Sequence, residues 1–140
     1  MGSGQCPEPV YIFMISIKGL HKKAWKQQSK VRRMIEKNIC YTCEKPTGSQ
    51  LGHCEHGDSL DFDYHDGTWT KPRWLRTQCS GCNLFRNGKQ VVFAAKLVKE
   101  YGPEILEIML KQKHDVRKWK RDELEEIYKE YKELETTLMA

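Results

Sequence analysis

The chain predicts an α+β fold, mainly helical, in which a small zinc-stapled core sits between a basic N-terminal helix and a set of C-terminal helices. Three observations lead there. Two Cys-x-x-Cys pairs, Cys40/Cys43 and Cys79/Cys82, have 35 residues between them. That stretch is broken by Pro46, Gly48, Gly52, Gly57, Gly67 and Pro72, which leave room only for short elements. On both sides of it apolar residues recur at three- and four-residue steps, the period of a helix. At 140 residues the chain has the usual size of one domain, so one core with helical appendages is expected.

Residues 1–13, opening on Met1-Gly2-Ser3-Gly4, read as a tag or disordered leader, with Met14 a natural start. Residues 14–39 then hold a basic helix. From about His21 to Lys37, Ala24, Gln28, Val31 and Ile35 form one stripe, with Trp25 and Met34 beside it. Along the same segment Lys18, Lys22, Lys23, Lys26, Lys30, Arg32, Arg33 and Lys37 stand against Glu36 alone, a local excess that suits a polyanion.

Residues 40–100 form the expected zinc-bound core. Short strands fit around Gln50 to Cys54 and Arg73 to Thr77. After Cys82 a helix is expected, carried by Phe85, Val91, Val92, Ala95, Leu97 and Val98. Residues 101–140 are a helical extension: Tyr101-Gly102-Pro103 supplies a glycine stop and a proline restart, and the next helix runs to about Lys113. The last helix is expected from a capping Asp122 to Leu138, with Leu124, Ile127, Tyr128, Tyr131, Leu134 and Leu138 on one face. Such a stripe serves either its own domain or a homodimer.

No apolar run approaches the roughly 20 residues that span a bilayer, and no secretion signal opens the chain, so a cytoplasmic setting with no membrane partner is expected. In a reducing compartment the paired cysteines signal metal rather than disulfides. Four thiolates on two tight turns complete a tetrahedral zinc site, and a closed site of that kind stabilises the fold without taking part in chemistry. Cys6 and Cys54 stand outside the pairs and are given no role, although Cys54 could substitute as a ligand.

Hydrolysis of a phosphodiester needs a base to activate water and a hard cation to neutralise developing charge. His53 follows Gly52 on an expected strand, and Asn83 directly follows Cys82, so a shared zinc draws the two together. The order Cys-x-x-Cys, Gly52-His53, then Leu75-Arg76-Thr77-Gln78-Cys79-Ser80-Gly81-Cys82-Asn83 with Gly88 following resembles the phage Rap/NinG recombination endonucleases of the HNH (ββα-metal) superfamily. Endonuclease VII proteins share the Cys-Asn junction. The resemblance continues through Tyr101-Gly102-Pro103-Glu104, Lys118-Trp119 and Glu123 to Ile127, and covers about Cys40 to Leu138.

The resemblance implies a DNA endonuclease in which His53 is the general base and Asn83 a ligand of Mg²⁺ or Mn²⁺. It also implies branched substrates, Holliday junctions or displacement loops, in the cytoplasm of a phage host. The sequence departs from the wider pattern in carrying Gly52 before the base and Trp74 where relatives have Asn, which leaves the second magnesium ligand open. Asp58 and Asp61 are preferred from a loop that also offers Glu55, His56 and Asp63. Asn87 is a further candidate if it shares a helical face with Asn83.

A held DNA backbone needs cations. Lys22, Lys23, Lys26, Lys30, Arg32 and Arg33 of the first helix, with Lys71, Arg73, Arg76, Arg86 and Lys89, flank the expected site, and Arg76 and Arg86 are the favoured phosphate contacts. Trp25, Trp69, Trp74 and Trp119 suit either core packing or base stacking. Two other readings compete: a non-catalytic zinc-stabilised module that binds DNA or RNA, and a zinc-held protein-interaction domain. The nuclease reading is preferred because the Gly-His and Cys-Asn features flank one zinc staple, a coincidence neither alternative requires.

Overall fold

A computed structural model of the chain describes residues 15–140, so the leader and Cys6 lie outside the described residues. The first helix, α1 (Ile17–Ile35), starts ahead of His21 because Ser16 caps it, its Oγ accepting the Gly19 N–H at 3.0 Å. Its buried face is Leu20, Ala24, Gln27, Gln28, Val31 and Arg32, whereas Ile35 is exposed. The last helix, α4 (Arg121–Met139), is capped earlier than expected. Lys120 takes the cap position, its N–H donating to the Glu123 carboxylate at 3.0 Å, and Asp122 falls inside the first turn, where its charge suits the helix dipole.

These two helices pack on each other. Leu20, Ala24 and Val31 meet Leu124, Ile127, Tyr128 and Tyr131, with Phe62, Tyr64 and Trp119 closing the cluster. Most of the apolar stripe of α4 is thus used within the chain, and only Leu138 at its end is exposed. A polar thread runs through the same contact. Tyr131 Oη donates to Gln28 Oε1 at 2.9 Å, and Gln28 Nε2 donates to the Asp61 carbonyl at 2.9 Å, which fixes α1 to the central loop.

The two expected strands form, shifted by a residue or two. β1 (Gln50–His53) pairs with a later strand (Leu75–Gln78) in antiparallel register, Gln50 opposite Gln78 and His53 opposite Leu75. Between them come a 3₁₀ turn (Asp58–Leu60) and a hairpin absent from the sequence reading, β2 (Tyr64–His65) and β3 (Thr68–Trp69), so the Leu75–Gln78 strand is β4. The hairpin turns on Asp66 and Gly67, both at positive φ (54° and 78°), and Asp-Gly between alternating aromatic residues is its signal.

Asp63, at the hairpin's base, is buried and accepts the N–H groups of Trp74 (3.2 Å) and Leu75 (3.4 Å) and the Thr70 hydroxyl (3.4 Å). Burial pushes its carboxyl up to about 6, against the field of Arg32 and those N–H groups. Its oxygens are committed to tying the hairpin to β4, which removes it from the candidate metal ligands.

The helix expected directly after Cys82 does not form there. A single wide π turn (Gly81–Phe85) is followed by Asn87, Gly88 and Lys89, all at positive φ, and α2 (Gln90–Tyr101) begins only after them. Phe85, Val91 and Val92 consequently face solvent, while Phe93 and Leu97 supply the buried contacts. Gly102, at φ 98°, ends α2, and α3 (Ile105–Lys113) follows. Together α2 and α3 close a second cluster of Cys54, Leu60, Trp74, Phe93, Leu97, Ile105 and Met109. The order is α1, β1, the β2–β3 hairpin, β4, the π turn and then α2, α3 and α4, with α1 packed on α4 and against β1 and β4. No helix among the described residues is long and apolar enough to cross a membrane.

Candidate metal centre and active site

The two Cys-x-x-Cys turns face each other because β1 and β4 are paired immediately beside them. Ligand atoms of Cys40, Cys43, Cys79 and Cys82 all lie within 4.8 Å of one another, and Cys43 Sγ is 3.7 Å from Cys79 Sγ. Such crowding of four thiols suits one zinc ion held at about 2.3 Å from each sulfur. Burial works to raise the Cys40 thiol, but hydrogen bonds with Thr42 and at backbone groups bring it down to about 6, while burial pushes Cys82 up to about 11. Cys79 is lowered, chiefly by the Cys82 N–H. A site whose thiols differ this much holds some protons until a metal displaces them. Cys54 is elsewhere: it is buried in the α2–α3 cluster, and burial raises its thiol to about 11, which fits an inert core residue.

Beside this centre the strand pairing brings Asn83 onto β1. A Cβ placed on Gly52 would lie 3.1 Å from Asn83 Oδ1 and 1.8 Å from Gln78 Oε1, so any side chain there would have to displace the Gln78 amide. Asn83 Nδ2 donates to Gln50 Oε1 at 2.6 Å, which turns its oxygen toward Gly52. The fit to a hard divalent cation is supported by this cradle of amide oxygens and by the buried Gln78 oxygen, which has no hydrogen-bond partner.

Because adjacent strand residues face opposite ways, His53 leaves β1 on the other side, toward α1. Its ring is stacked on Trp25 (centroids 5.0 Å apart, 6° between planes) and lies against His56 at 4.3 Å, leaving the side chain 13 % exposed. His53 Nε2 is 3.7 Å from Asp61 Oδ1, and the other oxygen of Asp61 is 3.4 Å from His21 Nε2. Burial, then the neighbouring His53, lowers the pKa of His56, which favours its neutral form.

Residues 71–139 match the family model described as Bacteriophage Lambda NinG protein. The match spans just under half the chain, from β4 through the second cysteine pair and Asn83 to the end of α4; Cys40, Cys43 and His53 precede it. No curated protein and no solved structure matches the chain.

Within the NinG-matching segment the expected phosphate contacts fare differently. Arg76 is buried, paired with Glu100 through two hydrogen bonds (3.0 and 2.8 Å) and set over the Tyr41 ring, so it holds β4 to α2 and is not free for a phosphate. Arg73 lies beside it, its carbonyl accepting from Arg76. Arg86 and Lys89 line the rim of the cysteine centre together with Lys45, a residue the sequence reading passed over. Asn87 cannot share a helical face with Asn83, since the left-handed residues interrupt the helix between them and α2.

On α1 the basic face is smaller than the sequence suggests. Arg32 is 3 % exposed and bonded to Glu36 at 2.6 Å; Lys30 pairs with Glu135; Lys23 lies over the Tyr128 ring; Arg33 donates to the Ser29 carbonyl. Lys26 is exposed, and Lys22 lines a groove of about 1260 Å³ between the start of α1 and the segment before α4. That groove gathers Lys18, Lys22, Lys118, Lys120 and Arg121 with Trp25 and Trp119, and Asp58 and Asp61 form its inner edge. The Asp58 carboxylate accepts the Arg117 N–H and Asp61 serves the two histidines, so both expected metal ligands belong to the His53 side of β1 rather than the Asn83 side.

Proposed function

We propose that the protein is a metal-dependent DNA endonuclease of the HNH kind acting on branched intermediates of phage recombination. The observation that carries this reading is the packing at Gly52: the residue before His53 is held against Asn83, which directly follows the second of the clustered cysteine turns. The NinG match and the resemblance read from the sequence support the phage recombination setting. A phosphate at the end of β1 would meet His53 on one flank and Asn83 on the other.

Each side chain then has a definable task. Asp61 Oδ1 lies 3.7 Å from His53 Nε2, beyond hydrogen-bond distance, so its carboxylate contributes a negative field at the imidazole that takes a proton from water. Trp25 and His56 hold the ring plane, which preserves its aim. A magnesium or manganese ion held in part by Asn83 would neutralise charge on the scissile phosphate. The groove of Lys18, Lys22, Lys118, Lys120 and Arg121 opens on the same side as Trp25 and Asp61 and suits a DNA backbone led toward His53.

One observation favours a non-catalytic zinc module that binds nucleic acid: His53 is nearly enclosed. The two readings separate on a fluorescent four-way junction and a matched linear duplex, given to zinc-loaded protein with and without Mg²⁺ or Mn²⁺. Cleavage that needs the divalent ion, at least about tenfold faster on the junction, is the expected result. Salt-sensitive binding to both DNAs without a cut in either metal would replace the nuclease by the binding module.

A further inference from the structure

We infer that the side-chain oxygen of Gln78 is the second protein ligand of the divalent cation, converging with Asn83 over the α-carbon of Gly52; this rests on the nuclease reading of the site. Gln78 is 0 % exposed. Its amide nitrogen is fully used, donating to the Gly88 carbonyl at 2.8 Å and to Thr42 Oγ1 at 3.0 Å. The Gly88 carbonyl, which can only accept, decides which end of the side chain is oxygen. The oxygen is buried with no hydrogen-bond partner, a state that costs free energy unless something binds there.

That oxygen occupies the space a side chain on residue 52 would fill, 1.8 Å from the absent Cβ, with Asn83 Oδ1 3.1 Å from the same point. Asn83 likewise spends its nitrogen, on Gln50. Two neutral amide oxygens with their donors committed elsewhere are therefore neighbours, the oxygen chemistry that Mg²⁺ and Mn²⁺ take. Glycine at position 52 gives up a ligand of its own and admits the one from Gln78. The orientation is set from the cysteine centre, since Thr42 lies within the first cysteine turn with its hydroxyl 3.4 Å from Cys40 Sγ. Gln78 therefore links the zinc staple to the cation site.

The competing role for Gln78 is a strut that holds the Gly88 loop, and metal binding separates the two. On the zinc-loaded full chain, Mn²⁺ affinity is measured by electron paramagnetic resonance for wild type, Gln78→Met and Asn83→Ala, with zinc content checked for each. In unsubstituted protein, the side-chain amide resonances of Gln78 and Asn83 are followed by NMR as Mg²⁺ and then Mn²⁺ are added, so the result does not depend on the folding of a variant. The expected outcome is at least a tenfold loss of Mn²⁺ affinity in both variants, with both amides shifted by Mg²⁺ and broadened by Mn²⁺. An Asn83 response without a Gln78 response overturns the Gln78 assignment and leaves the nuclease reading standing. Absence of any Mn²⁺ binding by wild type overturns both.

Discussion

Stripping the metal from the four thiols, or replacing Cys79 by serine, is expected to unfold the centre of the chain and abolish cleavage. β1 and β4 are four residues each, and an isolated two-stranded ladder is marginal in water. Their pairing is held at one end by the cysteine turns, where Tyr41 donates its N–H to the Thr77 carbonyl at 2.8 Å. Structural zinc sites of this type contribute about 10–16 kcal/mol at neutral pH, as much as the whole stability of an ordinary domain. Protons compete with zinc for the sulfurs, so the buried Cys82 thiol, raised to about 11, makes the site weaker as pH falls. Thermal unfolding followed by circular dichroism, with zinc assayed before and after chelation, should show the melting temperature falling by about 15 °C or more. Helical signal from the α1–α4 pair, which has its own apolar contact, is expected to outlast the rest. Unchanged melting after verified zinc removal contradicts a structural role.

Replacing His53 by alanine is expected to slow cleavage by about 10²- to 10⁴-fold, the usual contribution of a positioned base, while DNA binding stays within about threefold. The ring contributes to packing as well, and loss of its stack on Trp25 should cost about 1 kcal/mol. Separating the two effects requires single-turnover rates at saturating DNA, with melting measured beside them. A variant that cuts as fast as wild type assigns His53 to packing alone.

What could be read in the sequence were features set by neighbours along the chain. The cysteine turns, the helical stripe of Leu124 to Tyr131 and the Gly102-Pro103 break each depend on spacing, and each stands where expected. Boundaries moved where one or a few residues decide them: Ser16 starts α1 early, and the left-handed run Asn87, Gly88 and Lys89 postpones α2. The Asp66-Gly67 hairpin had a local signal that went unused.

The fate of the charged residues was less legible, because a partner far along the chain decides it. Arg76 is committed by Glu100, 24 residues on, and Lys30 by Glu135. The groove cations Lys118, Lys120 and Arg121 meet Lys18 and Lys22 only after α4 has folded onto α1. Gln78 could have been suspected only from the register that sets it diagonally across from Gly52. Asp61, expected as a cation ligand, was a candidate by residue type, and the fold places it against His53 and His21.

The most direct test of the proposed nuclease site is whether Asn83→Ala, still carrying its zinc and still binding a four-way junction, cuts that junction in Mg²⁺ as wild type does. The account predicts cleavage by wild type and, in the variant, a loss of at least about 10²-fold that higher Mn²⁺ partly restores. Equal cleavage by both proteins, or none by either despite tight binding, would contradict it.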